Sequence, residues 1–222
     1  MKPHFKVALC GVPGTGKTPL AKAISELYTL PLIYQGSKEL RQMTGNPRGL
    51  PAFPRMNEVQ RMEWQIEFIK YRLEKESQYS EYVLDACALD YMVWYRMCSW
   101  LVPFDHKSPT EQLLITAARQ YDYIFYLPFY SEDVKIPHQH TEACMDEVTS
   151  ELKCGLKQTN DPFYIDPFNL ETADYILKGT VSLLAHSGFK VFVVQKRGVE
   201  ARLEEVSDVL DKHNPEPKVI VQ

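Results

Sequence analysis

Eight residues near the start of the chain, Gly11-Val12-Pro13-Gly14-Thr15-Gly16-Lys17-Thr18, spell G-x-x-x-x-G-K-[ST] in full. The pattern constrains the fold because it works only between a strand and a helix. Its glycines let successive backbone N–H groups converge on a phosphate with no Cβ in the way. Lys17 adds a point charge for the outer phosphates, and the Thr18 hydroxyl suits a Mg²⁺ ion that keeps most of its waters. A helix starting here adds unpaired N–H groups and a positive dipole end. Both flanks comply. Phe5–Cys10 is a short apolar run that predicts a strand, and Leu20–Leu27 carries the apolar spacing of a helix expected over 17–28. Pro19 falls in the first helical turn, where its missing N–H has no intrahelical partner.

Further along, apolar runs alternate with helical periodicities. Strands are predicted at 30–34, 82–85, 123–127 and 190–194. A long helix is predicted over 57–77, where Val59, Met62, Ile66, Ile69 and Leu73 recur at three- and four-residue steps and Asn57 suits an N-cap. Other helices are expected near 89–100, 110–119, 142–157, 170–186 and 199–211. The alternation predicts an α/β fold, a five-stranded parallel sheet with helices on both faces, within a single domain over residues 1–222. Two segments break it: residues 35–55, rich in Gly, Pro and Arg, and residues 128–169. Each leaves the carboxyl end of a predicted strand, where open parallel sheets bind ligands, so both are expected to overhang the phosphate loop.

Composition narrows the class. At 45% hydrophobic and 24% charged the chain reads as an ordinary soluble globular protein. A net charge of −4 gives no overall attraction to nucleic acid or anionic membrane. The apolar run after Met1-Lys2-Pro3-His4 is too short for the core of a signal peptide, and no stretch approaches a membrane span. The cysteines Cys10, Cys87, Cys98, Cys144 and Cys154 are odd in number and form no C-x-x-C, which points to a reduced, cytoplasmic compartment. His138, His140, Cys144 and Cys154 match no common zinc spacing.

Asp85 ends the third predicted strand. If that strand neighbours the first, the carboxylate lies near the metal and the terminal phosphate. There it either holds a metal-bound water or accepts a proton from an attacking hydroxyl. The plainer alternative is a cap for the next helix. For Asp90 the simpler expectation is a solvated or locally hydrogen-bonded carboxylate.

The phosphate loop, the 57–77 helix and Glu81-Tyr-Val-Leu-Asp85-Ala-Cys-Ala-Leu-Asp90-Tyr91 together resemble the NadR-like nucleoside kinase group, P-loop proteins allied to thymidylate and deoxynucleoside kinases. The resemblance runs over about 5–195, and its specific part is the loop. It implies ATP and Mg²⁺ as cofactors. Gly11, Val12, Pro13, Gly14, Thr15, Gly16, Lys17 and Thr18 then hold the nucleotide, and Thr18 and Asp85 hold the metal. Lys17, Asp85 and Lys135 carry the catalysis. The group usually has Asp-Arg after the third strand, and here the second residue is Ala86. Lys135 stands where a lid arginine is typical, and no Arg occurs between Arg119 and Arg197. Arg41, Arg48 and Arg55 lie in the acceptor-side segment of about 35–60; Arg41 is the preferred acceptor contact. Phe53, Trp64 and Phe68 either stack on a base or, for the last two, pack in the core.

The acceptor expected is a free nucleoside or nucleoside monophosphate, or else a hydroxymethylated pyrimidine (5-hydroxymethyluracil) in phage DNA. The competing class is a nucleotide-dependent switch or ATPase module. No membrane partner is expected, a homodimer is a further expectation, and the compartment is the cytoplasm, the host's if the chain is phage-encoded.

Overall fold

The strand that leads into the phosphate loop, β1 (Lys6–Cys10), lies mid-sheet because its side chains are apolar on both sides: Val7, Ala8, Leu9 and Cys10 are all fully buried. In the computed structural model, residues 5–34, 58–99, 108–130 and 167–213 are described. They form α1 (Lys17–Tyr28), β2 (Leu32–Ile33), α2 (Glu58–Ser77), β3 (Tyr82–Leu84), α3 (Ala88–Ser99) and α4 (Ser108–Ala118). The remaining elements are β4 (Tyr123–Tyr126), α5 (Pro167–His186), β5 (Val191–Val193) and α6 (Val199–His213). The sheet order is β2-β3-β1-β4-β5 and every pairing is parallel. In register, Ala8 of β1 faces Leu84 of β3 on one side and Ile124 of β4 on the other.

Alternation along the strands builds two cores. Val7, Leu9, Val83 and Phe125 pack with Leu20 and Ile24 of α1 and with Val206 and Leu210 of α6. Ala8, Cys10, Leu84 and Ile124 face the other way, against Ile69 of α2, Met92 of α3 and Leu177 of α5. The five-stranded parallel sheet with helices on both faces is thus present as expected.

Boundaries differ where local hydrogen bonds compete with the sheet. β2 keeps only Leu32–Ile33 of the run predicted at 30–34. The reason is that Leu30 closes α1 instead: its N–H donates to Ser25 O at 3.0 Å, its carbonyl accepts from the Ser25 hydroxyl at 2.6 Å, and Thr29 caps the helix at φ 57°. β3 stops at Leu84, one residue before Asp85, because Ala86 turns at φ 79°. α5 starts at Pro167, ahead of the expected 170, in keeping with proline's preference for the first helical turn. Asn57, the 142–157 helix and most of the two long segments lie outside the described residues. No helix among the described residues is long and apolar enough to cross a membrane.

Leu84, fully buried in the core that faces α2, α3 and α5, and Tyr175, 80% exposed on α5, make a test of this layering. Leu84→Ala is expected to lower the unfolding free energy in urea by about 2–5 kcal/mol, and Tyr175→Ala to change it by less than about 0.5 kcal/mol.

Candidate functional site

Because β3 lies beside β1 in parallel, the loop after β1 and the turn after β3 leave the same edge of the sheet. The loop departs at Gly11, where a Cβ would lie 2.7 Å from Leu127 O and 2.8 Å from Thr15 Oγ1, so only glycine fits. The Thr15 hydroxyl donates to Val12 O at 2.9 Å and braces the bend. Gly16 caps α1 at φ 88°, and its missing Cβ leaves room for Arg202 Nη1, 2.8 Å from where that carbon would stand.

The predicted side chains converge at the mouth of this loop. Lys17 Nζ donates to Gly11 O, and to Val12 O at 3.0 Å. The Thr18 hydroxyl donates to Asp85 Oδ2 at 2.8 Å, across a gap of 67 residues in sequence. Asp85 is buried, and its own N–H donates to Ile33 O at 3.0 Å, which pins it to the end of β2. A hydroxyl and a carboxylate side by side are the oxygen donors that a hard cation such as Mg²⁺ takes while retaining water, so these residues fit that ion. Lys135, Arg41, Arg48, Arg55 and Phe53 lie outside the described residues, as does the Trp64 side chain. Phe68 is buried edge-on against Tyr91 at 4.8 Å between ring centroids, which makes it core.

Of the two expectations for Asp90, local hydrogen bonding holds and solvation does not: it is 5% exposed, and its two oxygens accept from Gly11 N at 2.8 Å and, three residues away, from Cys87 N at 2.7 Å. The second bond is the reach-back of a capping box at the start of α3. The first straps the entry of the phosphate loop to the turn that carries Asp85. Burial pushes the Asp90 carboxyl above its usual range, while the Lys17 charge and the two N–H donors pull the other way. The capping half of this role was within reach of sequence; the Gly11 half depends on sheet order.

Arg202 on α6 carried no sequence signal at all. Its guanidinium donates to Thr15 O at 2.6 Å and to Lys196 O at 2.9 Å, so it clamps the loop from behind. Beside it opens a cavity of about 230 Å³, bounded by Gly14–Gly16, by Pro128–Tyr130 and by Arg197 and Gly198. The Arg197 guanidinium lies 4.5 Å from the Tyr130 ring centre, a cation over a π face. Asp174 fixes this wall by accepting from the Tyr126 hydroxyl at 2.8 Å and from Phe129 N at 3.2 Å. The cavity adjoins the loop and presents an aromatic face and a guanidinium, groups that suit a nucleobase next to its phosphates.

No protein-family model and no curated protein sequence matches the chain. Solved structures do match. A deoxyadenosine kinase from M. mycoides, with the products dCMP and dCDP bound, superposes with a TM-score of 0.58 at 15% identity, over 94% of this chain and 99% of that one. The NadR protein in complex with NR gives 0.61 at 14% identity over 94% of this chain, which spans 51% of NadR. Thymidylate kinase from Candida albicans gives 0.59 at 10% identity, covering 95% and 92% of the two chains. The fold is therefore that of the P-loop nucleotide kinases.

Gly16→Ala places a methyl group against Arg202 and forces a left-handed backbone on a residue with a Cβ. It is expected to cost more than about 1 kcal/mol of stability and to weaken nucleoside triphosphate binding, read by thermal melting and isothermal titration.

Proposed function

We propose that this chain is an ATP-dependent kinase that transfers the γ-phosphoryl group to a free nucleoside or nucleoside monophosphate. The observation that carries the reading is the Thr18–Asp85 hydrogen bond of 2.8 Å at the mouth of a complete phosphate loop. In this reading Gly11–Thr18 cradle the triphosphate with backbone N–H groups, and Lys17 leaves the loop carbonyls to neutralise the β- and γ-phosphates. Thr18 and Asp85 hold Mg²⁺, the ion that draws charge off the transferring phosphoryl group. Asp85 is also the available acceptor for the proton of an attacking hydroxyl. The cavity between the loop, Tyr130 and Arg197 takes the base of the donor nucleotide.

β2 and β4 end, like β1, at the carboxyl end of the parallel sheet, and residues 35–60 and 128–169 follow them in the chain. The reading gives Arg41 to the acceptor and Lys135 to the transferring phosphoryl group, within one domain of 222 residues. Deoxyadenosine and thymidylate, the substrates named for two structural neighbours, are free nucleosides and nucleotides. They support a small acceptor over a hydroxymethylated base in DNA, as does the net charge of −4.

The test is incubation with γ-labelled ATP, Mg²⁺ and, in separate arms, nucleosides, nucleoside monophosphates and hydroxymethyluracil-containing DNA. Label is expected on a nucleoside or nucleotide. Label on DNA alone, or slow hydrolysis that ignores every acceptor, overturns the reading, the latter in favour of a nucleotide switch. Lys17→Ala is expected to reduce transfer by at least about 100-fold with the fold intact by circular dichroism. Asp85→Asn is expected to lower kcat by about 10²–10⁴-fold while ATP affinity changes little.

A further inference from the structure

Helix α2 presents Phe68, Ile69, Arg72 and Glu76 to the core, so a cation and an anion one turn apart stand on an otherwise apolar face. Both are out of water, with Arg72 1% and Glu76 4% exposed. Arg72 Nε lies 3.4 Å from Glu76 Oε1. Stability alone does not account for such a pair, since apolar side chains of similar volume commonly serve as well. Its hydrogen bonds show another use. Arg72 Nη2 donates to Ala86 O at 3.0 Å and to Ile33 O at 3.2 Å, the backbone just past β3 and the last residue of β2. Glu76 Oε2 accepts from the Tyr121 hydroxyl at 3.0 Å, and that hydroxyl accepts from Ala88 N at 3.2 Å. The chain of bonds therefore grips residues 86 and 88, on the far side of the turn from the loop.

That turn needs holding. Ala86 sits at φ 79°, a left-handed conformation that side-chain-bearing residues rarely adopt, immediately after Asp85. Asp85, whose carboxylate accepts from the Thr18 hydroxyl at 2.8 Å, is the residue that enters this bend. We infer that Arg72 is a positioning residue: with Glu76 and Tyr121 it braces the strained 85–88 turn and so aims the Asp85 carboxylate at the Thr18 hydroxyl. The inference rests on the function proposed above, because Asp85 matters to turnover only within it. Arg72 itself touches backbone carbonyls and Glu76, and it acts through Asp85.

The test replaces the pair by apolar residues of similar volume, Arg72→Met with Glu76→Leu, which removes the clamp and keeps the packing. The double variant is expected to melt within about 4 °C of wild type and to bind ATP within about threefold. Its kcat is expected to fall by about 10–100-fold, the effect of a misaimed catalytic group. Amide hydrogen exchange is expected to quicken at 85–88 and to stay unchanged at 11–18. Arg72→Lys keeps a charge near Glu76 but replaces the rigid planar guanidinium, whose Nη2 donates to both carbonyls, with a flexible ammonium. Its kcat is expected between wild type and the double variant, and it serves as the reading arm if the double variant unfolds. A folded double variant, or Arg72→Lys where the double variant unfolds, with wild-type kcat and wild-type exchange at 85–88 overturns the inference and leaves the proposed function standing. A wild-type chain that transfers no phosphate in the labelled-ATP assay overturns both.

Discussion

The parallel pairing of β3 against β1, with Ala8 opposite Leu84, is the constraint on which the site depends. In that register β1 runs two residues past the end of β3, and the residues that follow the strands, Gly11 and Asp85, leave from the same carboxyl end of the sheet. Two hydrogen bonds then lock the neighbours together. Asp90 holds Gly11 N, and Thr18 holds Asp85. A slip of one residue by β3 would send Val83 to the face of Tyr82 and Leu84 and those two to its own, so the apolar packing on both faces enforces the geometry at the sheet's carboxyl end.

Much of this was readable in the sequence, for a physical reason: periodicity reports burial, and burial decides which face an element shows. The phosphate loop, the helices on both faces and Asp85 at a strand's end all follow from local pattern. The failures also have a common cause. Leu30 reads as strand by apolarity, yet the end of α1 needs its N–H and carbonyl. Asp90, Arg72 and Arg202 act on backbone groups 79, 39 and 187 residues away, and nothing in their own neighbourhoods records those partners. Sheet order supplies them. Arg41 and Lys135 fall outside the described residues, so their places rest on motif alone.

The two faces of the sheet carry different loads. Toward α1 and α6 the core is apolar and aromatic, with Phe125 stacked on Phe192 at 5.5 Å. Toward α2 through α5 it contains a buried run of polar groups, Arg72, Glu76 and Tyr121, placed under the turn that presents Asp85. The loop side needs rigid walls around a cradle of main-chain donors. The Asp85 side needs a carboxylate held at one angle by a strained turn, and apolar contacts alone are too undirected to set that angle.

Arg202 ties the phosphate cradle to the last helix of the described chain. The guanidinium that clasps Thr15 O is synthesised 187 residues after the carbonyl it holds. A nascent chain thus carries the glycine-rich bend through the synthesis of those residues without the buttress behind it. The clasp on the Thr15 carbonyl is acquired only when α6 docks beside α1.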